Sequence, residues 1–180
     1  MLDDYRYHHS LCVAKEAVRL VKKYGGDEQK AYIAGILHDI LKNTPLSDQL
    51  HWIKKSGIIF DSIQLASPPI WHGFAASAFI KEELQIADED ILLAVRYHTT
   101  GRAGMTHLEK IIYMADMTSA DRSYKDVDAM RKKVNKNLDE ALLDSLKFSV
   151  SSLAKKGLPI PYDTIMAYNE LCVAKREESN

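Results

Sequence analysis

Hydrophobic residues recur every three or four positions over most of the chain, the spacing of helices with one buried face. This spacing holds from His9 to Tyr24, where a pair of glycines interrupts it. Asp27 is a candidate N-cap for a second helix, which the pattern extends through Lys42. No stretch alternates apolar and polar residues as a half-buried strand does. The pattern therefore predicts an all-α fold.

The remainder of the chain shows the same periodicity, divided by proline, glycine and capping residues. Further helices are predicted at 47–55, 71–84, 88–97, from residue 106, within 127–156 as one or two helices, and from about residue 164. Thr106 and Glu109 have the spacing of a capping box. Residues 58–69 contain Ser-Pro-Pro and are predicted to form an irregular loop. A chain of 180 residues suits one core, so residues 1–180 are predicted to form a single domain.

Charge and cysteine content narrow the range of partners. The formal net charge is −1, from 24 Lys and Arg against 25 Asp and Glu, so nucleic acid is not an expected partner. The N-terminus is charged and no apolar run approaches the ~20 residues of a membrane span, so no membrane partner is expected. Cys12 and Cys172 are predicted to be small buried thiols, and a cytoplasmic location is expected.

Six side chains that could bind a metal ion lie among apolar residues on predicted helices. They are His9, His38, Asp39, His72, His98 and Asp116. Any one of them alone is more simply interpreted as a hydrogen-bonded core residue. Together they come from five predicted helices, and the inward faces of a helical bundle share one interior. An ionised carboxylate there is costly unless it is paired or metal-bound, so the set predicts a metal centre.

The chemistry of these side chains limits the metals that they could hold. Nitrogen and oxygen ligands without thiolate suit Fe, Mn, Zn or Co. The remaining histidines, His8, His51 and His107, are predicted to lie at the surface. An anionic ligand would have to be bound by such a metal or by a local group of basic residues.

The order of these residues resembles the signature of HD-domain metal-dependent phosphohydrolases. Closer similarity to the YqeK family of bacterial HD proteins is carried by "YRYHHSLCVA", "LHDILK", "WHGFAASAF", "AVRYHTTGRAGM", "LEKIIYMAD", "DRSY" and "KGLPI". The resemblance extends from Arg6 to the helix after Pro161. It implies an HD-domain helical bundle that cleaves diadenosine tetraphosphate symmetrically into two molecules of ADP.

The resemblance also implies which residues form the site. The metal ligands would be His9, His38, Asp39 and Asp116, with His72 and His98 available for a second metal or for phosphates. The metal would be divalent iron, with Mn, Co or Mg as alternatives. The implied nucleotide contacts are Arg6, His9, Asp39, Ile40, Leu41, Lys42, His72, His98, Thr99, Asp116, Arg122, Pro159, Ile160, Pro161, Tyr162, Asp163 and Thr164.

Hydrolysis of a phosphoanhydride needs a base and cations around the phosphates. The candidate catalytic residues are Asp39, Lys42, His72 and His98. Asp39 would act as general base or bridge two metals, and a protonated His72 or His98 would neutralise phosphoryl oxygens. Lys42 is predicted one helical turn after His38 and would contact a phosphate. Arg6, Arg122 and Arg102 are further candidates for phosphate contacts.

Two other functions remain open at this point. One is another HD-type nucleotide phosphohydrolase, such as a deoxynucleotide phosphatase or a guanosine tetraphosphate hydrolase. The other is a non-catalytic HD sensor that binds metal and nucleotide. Residue spacing does not distinguish symmetrical from asymmetrical cleavage, and only the resemblance favours symmetry. The expected partner is a small dinucleoside polyphosphate with its ADP product, and the formation of a homodimer also remains open.

Overall fold

The computed structural model describes residues 2–177, which form ten α-helices and no strand. The helices are α1 (Asp4–Tyr24), α2 (Glu28–Leu37), α3 (Leu46–Lys55), α4 (Ser62–Leu65), α5 (Trp71–Glu83), α6 (Glu89–Tyr97), α7 (His107–Thr118), α8 (Val127–Val134), α9 (Leu138–Lys155) and α10 (Tyr162–Glu177). A single 3-10 turn, Pro68–Ile70, leads into α5. The prediction of an all-α fold is confirmed.

Side-chain caps explain where several helices begin. Thr106 and Glu109 form the predicted capping box at the start of α7. Asp27 and Asp88 cap α2 and α6, as the sequence indicated. The first helix begins earlier than predicted, because Asp3 accepts a hydrogen bond from the third helical residue and caps α1.

The predicted extension of α2 through Lys42 is wrong, because the helix ends at Leu37. His38 is the C-cap, and its Nδ1 donates to the carbonyl of Gly35 at 2.8 Å. In a continuing helix that carbonyl would accept from the amide of Asp39 instead. The chain then turns, with the Lys42 amide donating to the Asp39 carbonyl at 2.8 Å. His38, Asp39 and Lys42 therefore lie after the helix and not on its buried face.

The structure refines three other expectations. The segment 58–69 is not wholly irregular, since a capping box of Asp61 and Gln64 supports the short helix α4. The region 127–156 forms two helices, and Asn137 caps the second by accepting from the Glu140 amide at 3.0 Å. Both cysteines are only partly buried rather than fully buried as predicted.

Two glycines allow the helices that carry site residues to approach closely. A Cβ on Gly35 would lie 2.6 Å from the Cα of Ala14, which fixes the contact between α1 and α2. A Cβ on Gly73 would lie 2.8 Å from the carbonyl oxygen of Arg96, at the contact between α5 and α6. Because α1 also packs on α7 and α6 on α2, these four elements and α7 surround one interior.

Within residues 2–177, no helix combines the length and the apolar character that a membrane crossing requires.

Candidate metal centre

Side chains from separate parts of the chain meet in this interior. His9 comes from the second turn of α1, His38 follows α2, and Asp116 lies near the end of α7. The Nε2 atom of His9 is 3.0 Å from Oδ1 of Asp116, and Nε2 of His38 is 3.9 Å from the same oxygen. Both imidazoles are buried, and Asp116 is 15% exposed. The predicted ligands His9, His38 and Asp116 are thus neighbours in space.

Asp39 joins this group to two more histidines. Its Oδ2 is 3.7 Å from Nε2 of His38. Its Oδ1 lies 3.1 Å from Nε2 of His72 and 3.5 Å from Nε2 of His98. His72 is the second residue of α5 and His98 follows α6, and their Nε2 atoms are 3.1 Å apart. All six predicted metal-ligating residues therefore converge in one region.

Two overlapping sets of side chains have the geometry to hold a metal ion. His9, His38 and Asp116 form one, and His38, Asp39 and His98 form the other, with ligand atoms within 4.8 Å of one another in each. Within residues 2–177, Nε2 of His38 and Oδ1 of Asp39 are buried without a hydrogen-bond partner. Such atoms are costly to bury unless a further group binds them. The nitrogen and oxygen donors therefore fit a divalent metal.

The rings of His38 and His98 are oriented by hydrogen bonds from the ring nitrogen that faces away from the site. Nδ1 of His38 donates to the Gly35 carbonyl, and Nδ1 of His98 donates to the Val95 carbonyl at 2.7 Å. Because a carbonyl only accepts, both rings carry their proton on Nδ1. In the neutral imidazole this leaves a lone pair on Nε2, which points into the site. This arrangement is typical of histidines that bind metals.

His72 is placed differently from these rings. The Nζ atom of Lys42 is 3.1 Å from Nε2 of His72 and 3.4 Å from Nδ1 of the same ring. The ammonium group can only donate, so it contacts the imidazole as a cation next to a neutral ring. Lys42 does not share a helix face with His38 as predicted, but the turn after α2 still directs it to the site. His72 and Lys42 therefore form a basic edge beside Asp39.

Arginines balance the two carboxylates of the centre. Nη1 of Arg6 is 3.0 Å from Oδ2 of Asp39. Arg122 forms an ion pair with Asp116 and also donates from Nε to its main-chain carbonyl at 2.8 Å. Both arginines are partly exposed. They place positive charge at the edge of the centre, where an anionic ligand would enter.

Burial and charge shift the protonation of these groups in different directions. Burial lowers the pKa of His38 and of His72 to about 4, so both imidazoles are neutral at pH 7. Burial opposes the ionised forms of Asp39 and Asp116, but neighbouring histidines outweigh it and hold both pKa values well below the usual range. Burial also opposes the charged form of His9, yet the adjacent Asp116 raises its pKa above 6.5.

The remaining predicted nucleotide contacts occupy several environments. Ile40 and Thr99 are partly buried in the turns that follow His38 and His98, and Leu41 is buried in the core. Residues 159–164 lead into α10, with Pro161 and Thr164 buried and Tyr162 59% exposed. Asp163 accepts a hydrogen bond from Gln64 at 3.4 Å. Among the described residues, no hydrogen bond or ion pair joins residues 159–164 to the metal centre.

Arg102, a further candidate for a phosphate contact, forms an internal ion pair in this structure. Its Nε and Nη2 atoms donate to the two carboxylate oxygens of Glu109 at 2.6 and 2.7 Å. Glu109 is buried, so the guanidinium balances an internal charge. The exposed positions predicted for His8, His51 and His107 are confirmed.

Asp121 was missed by the sequence analysis. Its Oδ2 accepts a hydrogen bond from Nδ1 of His9 at 2.7 Å, although 112 positions separate the two residues. Its place beside Arg122 in the segment "DRSY" was the available signal. No periodic pattern connects that segment to α1, so only the fold brings them together.

Comparison with known proteins identifies the family. The HD domain family model matches residues 6–121, which include all six predicted metal-ligating residues. This chain belongs to the HD domain family. The predicted HD-domain helical bundle is therefore confirmed.

Individual relatives resemble this HD domain protein over nearly their whole length. The symmetrical bis(5'-nucleosyl)-tetraphosphatase of Bacillus subtilis is 38% identical, over 94% of this chain and 91% of that protein. The protein of the same name from Halalkalibacterium halodurans is 35% identical, over 97% and 93%. A crystal structure from Clostridium acetobutylicum, described as a predicted HD superfamily hydrolase involved in NAD metabolism, has a TM-score of 0.93 at 38% identity. The match covers 96% of this chain and 92% of that chain.

Proposed function

We propose that this HD domain protein is a metal-dependent hydrolase that cleaves diadenosine tetraphosphate symmetrically into two molecules of ADP. The observation that carries the proposal is the pair of buried atoms, Nε2 of His38 and Oδ1 of Asp39, that have no hydrogen-bond partner among the described residues. They lie beside cationic side chains suited to phosphates. The names of the relatives support this substrate over deoxynucleotides, guanosine tetraphosphate or a sensor role.

His9, His38, Asp39 and Asp116 would hold the metal, and His98 lies close enough to share it. We propose divalent iron, with Mn, Co or Mg as alternatives; the nitrogen and oxygen donors are compatible with iron, and the preference for iron rests on the family resemblance. A bound divalent ion would supply hydroxide at neutral pH by lowering the pKa of its water to about 7.

The reaction that these residues would support is an in-line attack of water on one of the two central phosphorus atoms. The bond from that phosphorus to the central bridging oxygen breaks, and that oxygen departs with the second ADP. Asp39 would orient the water by accepting a hydrogen bond through Oδ1, and its lowered pKa makes it a poor final acceptor of the proton, which would leave to solvent. Symmetry requires the central oxygen, rather than an outer bridging oxygen, to lie opposite the attacking water.

Cations of the chain would bind the phosphate groups. Arg6 and Arg122 flank the two carboxylates and could each donate two hydrogen bonds to a phosphate. Lys42 would neutralise a phosphoryl oxygen as a point charge. The protonated form predicted for His72 is not favoured at pH 7, because burial lowers its pKa to about 4. His72 would therefore act as a neutral hydrogen-bonding partner next to Lys42.

Other features of the predicted function belong to the same proposal. Thr99 and residues 159–164 would contact the nucleosides, and the whole chain would act as a single domain. The helices after residue 121 support this last point, since α9 packs on α7 and α10 packs on α9. A cytoplasmic location and a homodimer stay predictions, which cell fractionation and light scattering would test.

The decisive experiment follows the products and the metal together. The protein is purified without oxygen, its bound metals are measured, and diadenosine tetraphosphate products are separated by chromatography. We expect ADP alone. Equimolar ATP and AMP would contradict symmetrical cleavage, and a preference for monophosphates or guanosine tetraphosphate would contradict the substrate.

A pair of variants tests whether turnover depends on the metal centre. Asp39→Asn should abolish turnover, whereas His51→Ala, which changes an exposed histidine, should retain the activity of the parent. A sensor would bind diadenosine tetraphosphate in the parent without releasing ADP.

A further inference from the structure

The three rings that point Nε2 at the metal centre fix their Nδ1 protons in two different ways. His38 and His98 are the C-cap residues of α2 and α6, and each donates to the carbonyl three residues before it. The last carbonyls of a helix have no partner within the helix, so these two acceptors are available locally. The ends of the helices therefore provide the orientation of both rings.

His9 cannot use this solution because it lies inside α1, which spans Asp4–Tyr24. The carbonyls that precede an interior helical residue already accept from the helix itself. Its ring proton therefore needs an acceptor from elsewhere in the fold. Oδ2 of Asp121 occupies that position at 2.7 Å, on the side of the ring opposite Asp116.

The position of Asp121 is itself secured by a cation on the next helix. Arg131 of α8 donates from Nε to the Thr118 carbonyl at 3.1 Å. Its Nη2 donates to the carbonyls of Ser119 at 2.7 Å and Arg122 at 2.9 Å. These bonds hold the turn 119–122 against the end of α7. The Asp121 side chain is 8% exposed, so its approach to His9 is confined by this turn.

We propose that Asp121 is a positioning residue for the metal ligand His9: it accepts the Nδ1 proton and so presents the Nε2 lone pair to the metal, while Arg131 holds the turn that carries it. The inference rests on the proposed metal centre and goes beyond it by assigning a role to residues that do not contact the metal. Outer-shell partners of this kind change metal affinity 10- to 100-fold in other proteins.

The first test measures Co²⁺ binding alone, by competition with a chelator and by the visible absorption of the bound ion. Asp121→Ala should weaken Co²⁺ binding about 10- to 100-fold, and Asp121→Asn should lose less because its amide oxygen still accepts from Nδ1. The matched control is Asp139→Ala, which removes an exposed carboxylate paired with Lys110. An Asp121→Ala affinity within about twofold of the parent would overturn the proposal.

The second test needs no metal and distinguishes positioning from general destabilisation. Nitrogen NMR of the metal-free protein at alkaline pH reports which ring nitrogen of His9 carries the proton. The parent should show the proton on Nδ1, and Asp121→Ala should shift it toward Nε2 while His38 and His98 stay unchanged. If Asp121→Ala does not fold, the same spectrum of Asp121→Asn should retain the Nδ1 proton, and a proton on Nε2 in the parent would refute the assignment.

The role of Arg131 is tested by combining variants. Arg131→Ala should lose part of the Co²⁺ affinity, and adding Asp121→Ala should then cost no more than Asp121→Ala alone. Full additivity would show that Arg131 acts independently of Asp121 and would overturn that part of the proposal. These outcomes are separate from the substrate, because none of the measurements uses a nucleotide.

Discussion

Lys42 differs from the other basic side chains of the centre, Arg6 and Arg122, because it contacts a histidine and not a carboxylate. Arg6 and Arg122 each balance an aspartate, whereas the Nζ of Lys42 contacts the neutral His72. Burial lowers the pKa of Lys42, because its buried surroundings disfavour the charged form. A phosphate would supply the missing negative charge.

We therefore expect Lys42→Met to impair catalysis without releasing the metal. A hydrogen bond to a charged group contributes about 1.5–3 kcal/mol, so kcat/KM should fall roughly 10- to 150-fold. Steady-state kinetics and metal analysis on the same preparation test this. Lys54→Met is the control, because Lys54 is an exposed residue of α3. Loss of bound metal in Lys42→Met would contradict the assigned role.

For Arg102 we expect a loss of stability and not of catalysis, since its guanidinium balances the buried Glu109. Arg102→Met should lower the free energy of unfolding by about 3 kcal/mol, because it leaves a buried carboxylate without its cation. The KM for diadenosine tetraphosphate should stay that of the parent. Denaturant titration and kinetics measure the two effects, and a raised KM with unchanged stability would restore Arg102 as a phosphate contact.

At the scale of the elements, the contacts at Gly35 and Gly73 set the distances between ligands. Gly35→Ala would push α2 from α1 and thereby move His38 relative to His9. Overpacking of this kind costs about 1–3 kcal/mol, and we expect weaker metal binding in addition.

Gly57→Ala is a useful comparison for that variant. Gly57 has φ +75° and no atom within 4 Å of an added Cβ, so the change strains the backbone without moving the helices. Thermal unfolding should show destabilisation in both variants, whereas Co²⁺ titration should show weaker binding only in Gly35→Ala. Equal metal affinity in the two would contradict the spacing role of Gly35.

The sequence predicted those elements whose ends are marked by local chemistry. Asp27, Asp88 and Thr106 cap their helices through residues two or three positions away, so their effect is visible in a short window. The end of α2 was missed because Ile40 and Leu41 continue the apolar spacing while the ring of His38 takes a helical carbonyl. That competition depends on a side-chain conformation and not on residue type.

The candidate ligands that the structure brings together were predicted from residue order and its resemblance to the HD signature. Partners separated by long stretches of chain could not be found in this way. Asp121 meets His9 only because α7 packs on α1, and its contact has no periodic signature. Tertiary contacts therefore account for the part of the site that the sequence left out.

At the scale of the whole molecule, buried neutral histidines make stability depend on pH. The pKa of His38 and of His72 is about 4 in the folded protein and about 6.5 when unfolded. Between these values only the unfolded chain binds the protons, so stability rises with pH across this window. His9, with a raised pKa, contributes in the opposite sense above 6.5.

The metal-free protein should therefore have a Tm that falls as the pH is lowered from 6.5 to 4. His72→Gln should make this fall shallower, because it removes one of the two groups that must charge on unfolding. His51→Gln, at an exposed position, should leave the slope unchanged. Calorimetry at several pH values between 4 and 6.5 measures this slope. A Tm that rises on acidification would contradict the assignment of His38 and His72 as buried neutral histidines.

The two helix-ending histidines have a consequence for how the metal enters. His38 and His98 are aligned by carbonyls of α2 and α6, so their rings are preorganised as soon as those helices form. The conformational entropy of ordering them is then lost during folding and not during metal uptake. Loading the centre should accordingly leave the far-ultraviolet circular dichroism unchanged while the Tm rises. The metal would stabilise a site whose histidine rings the helices have already oriented.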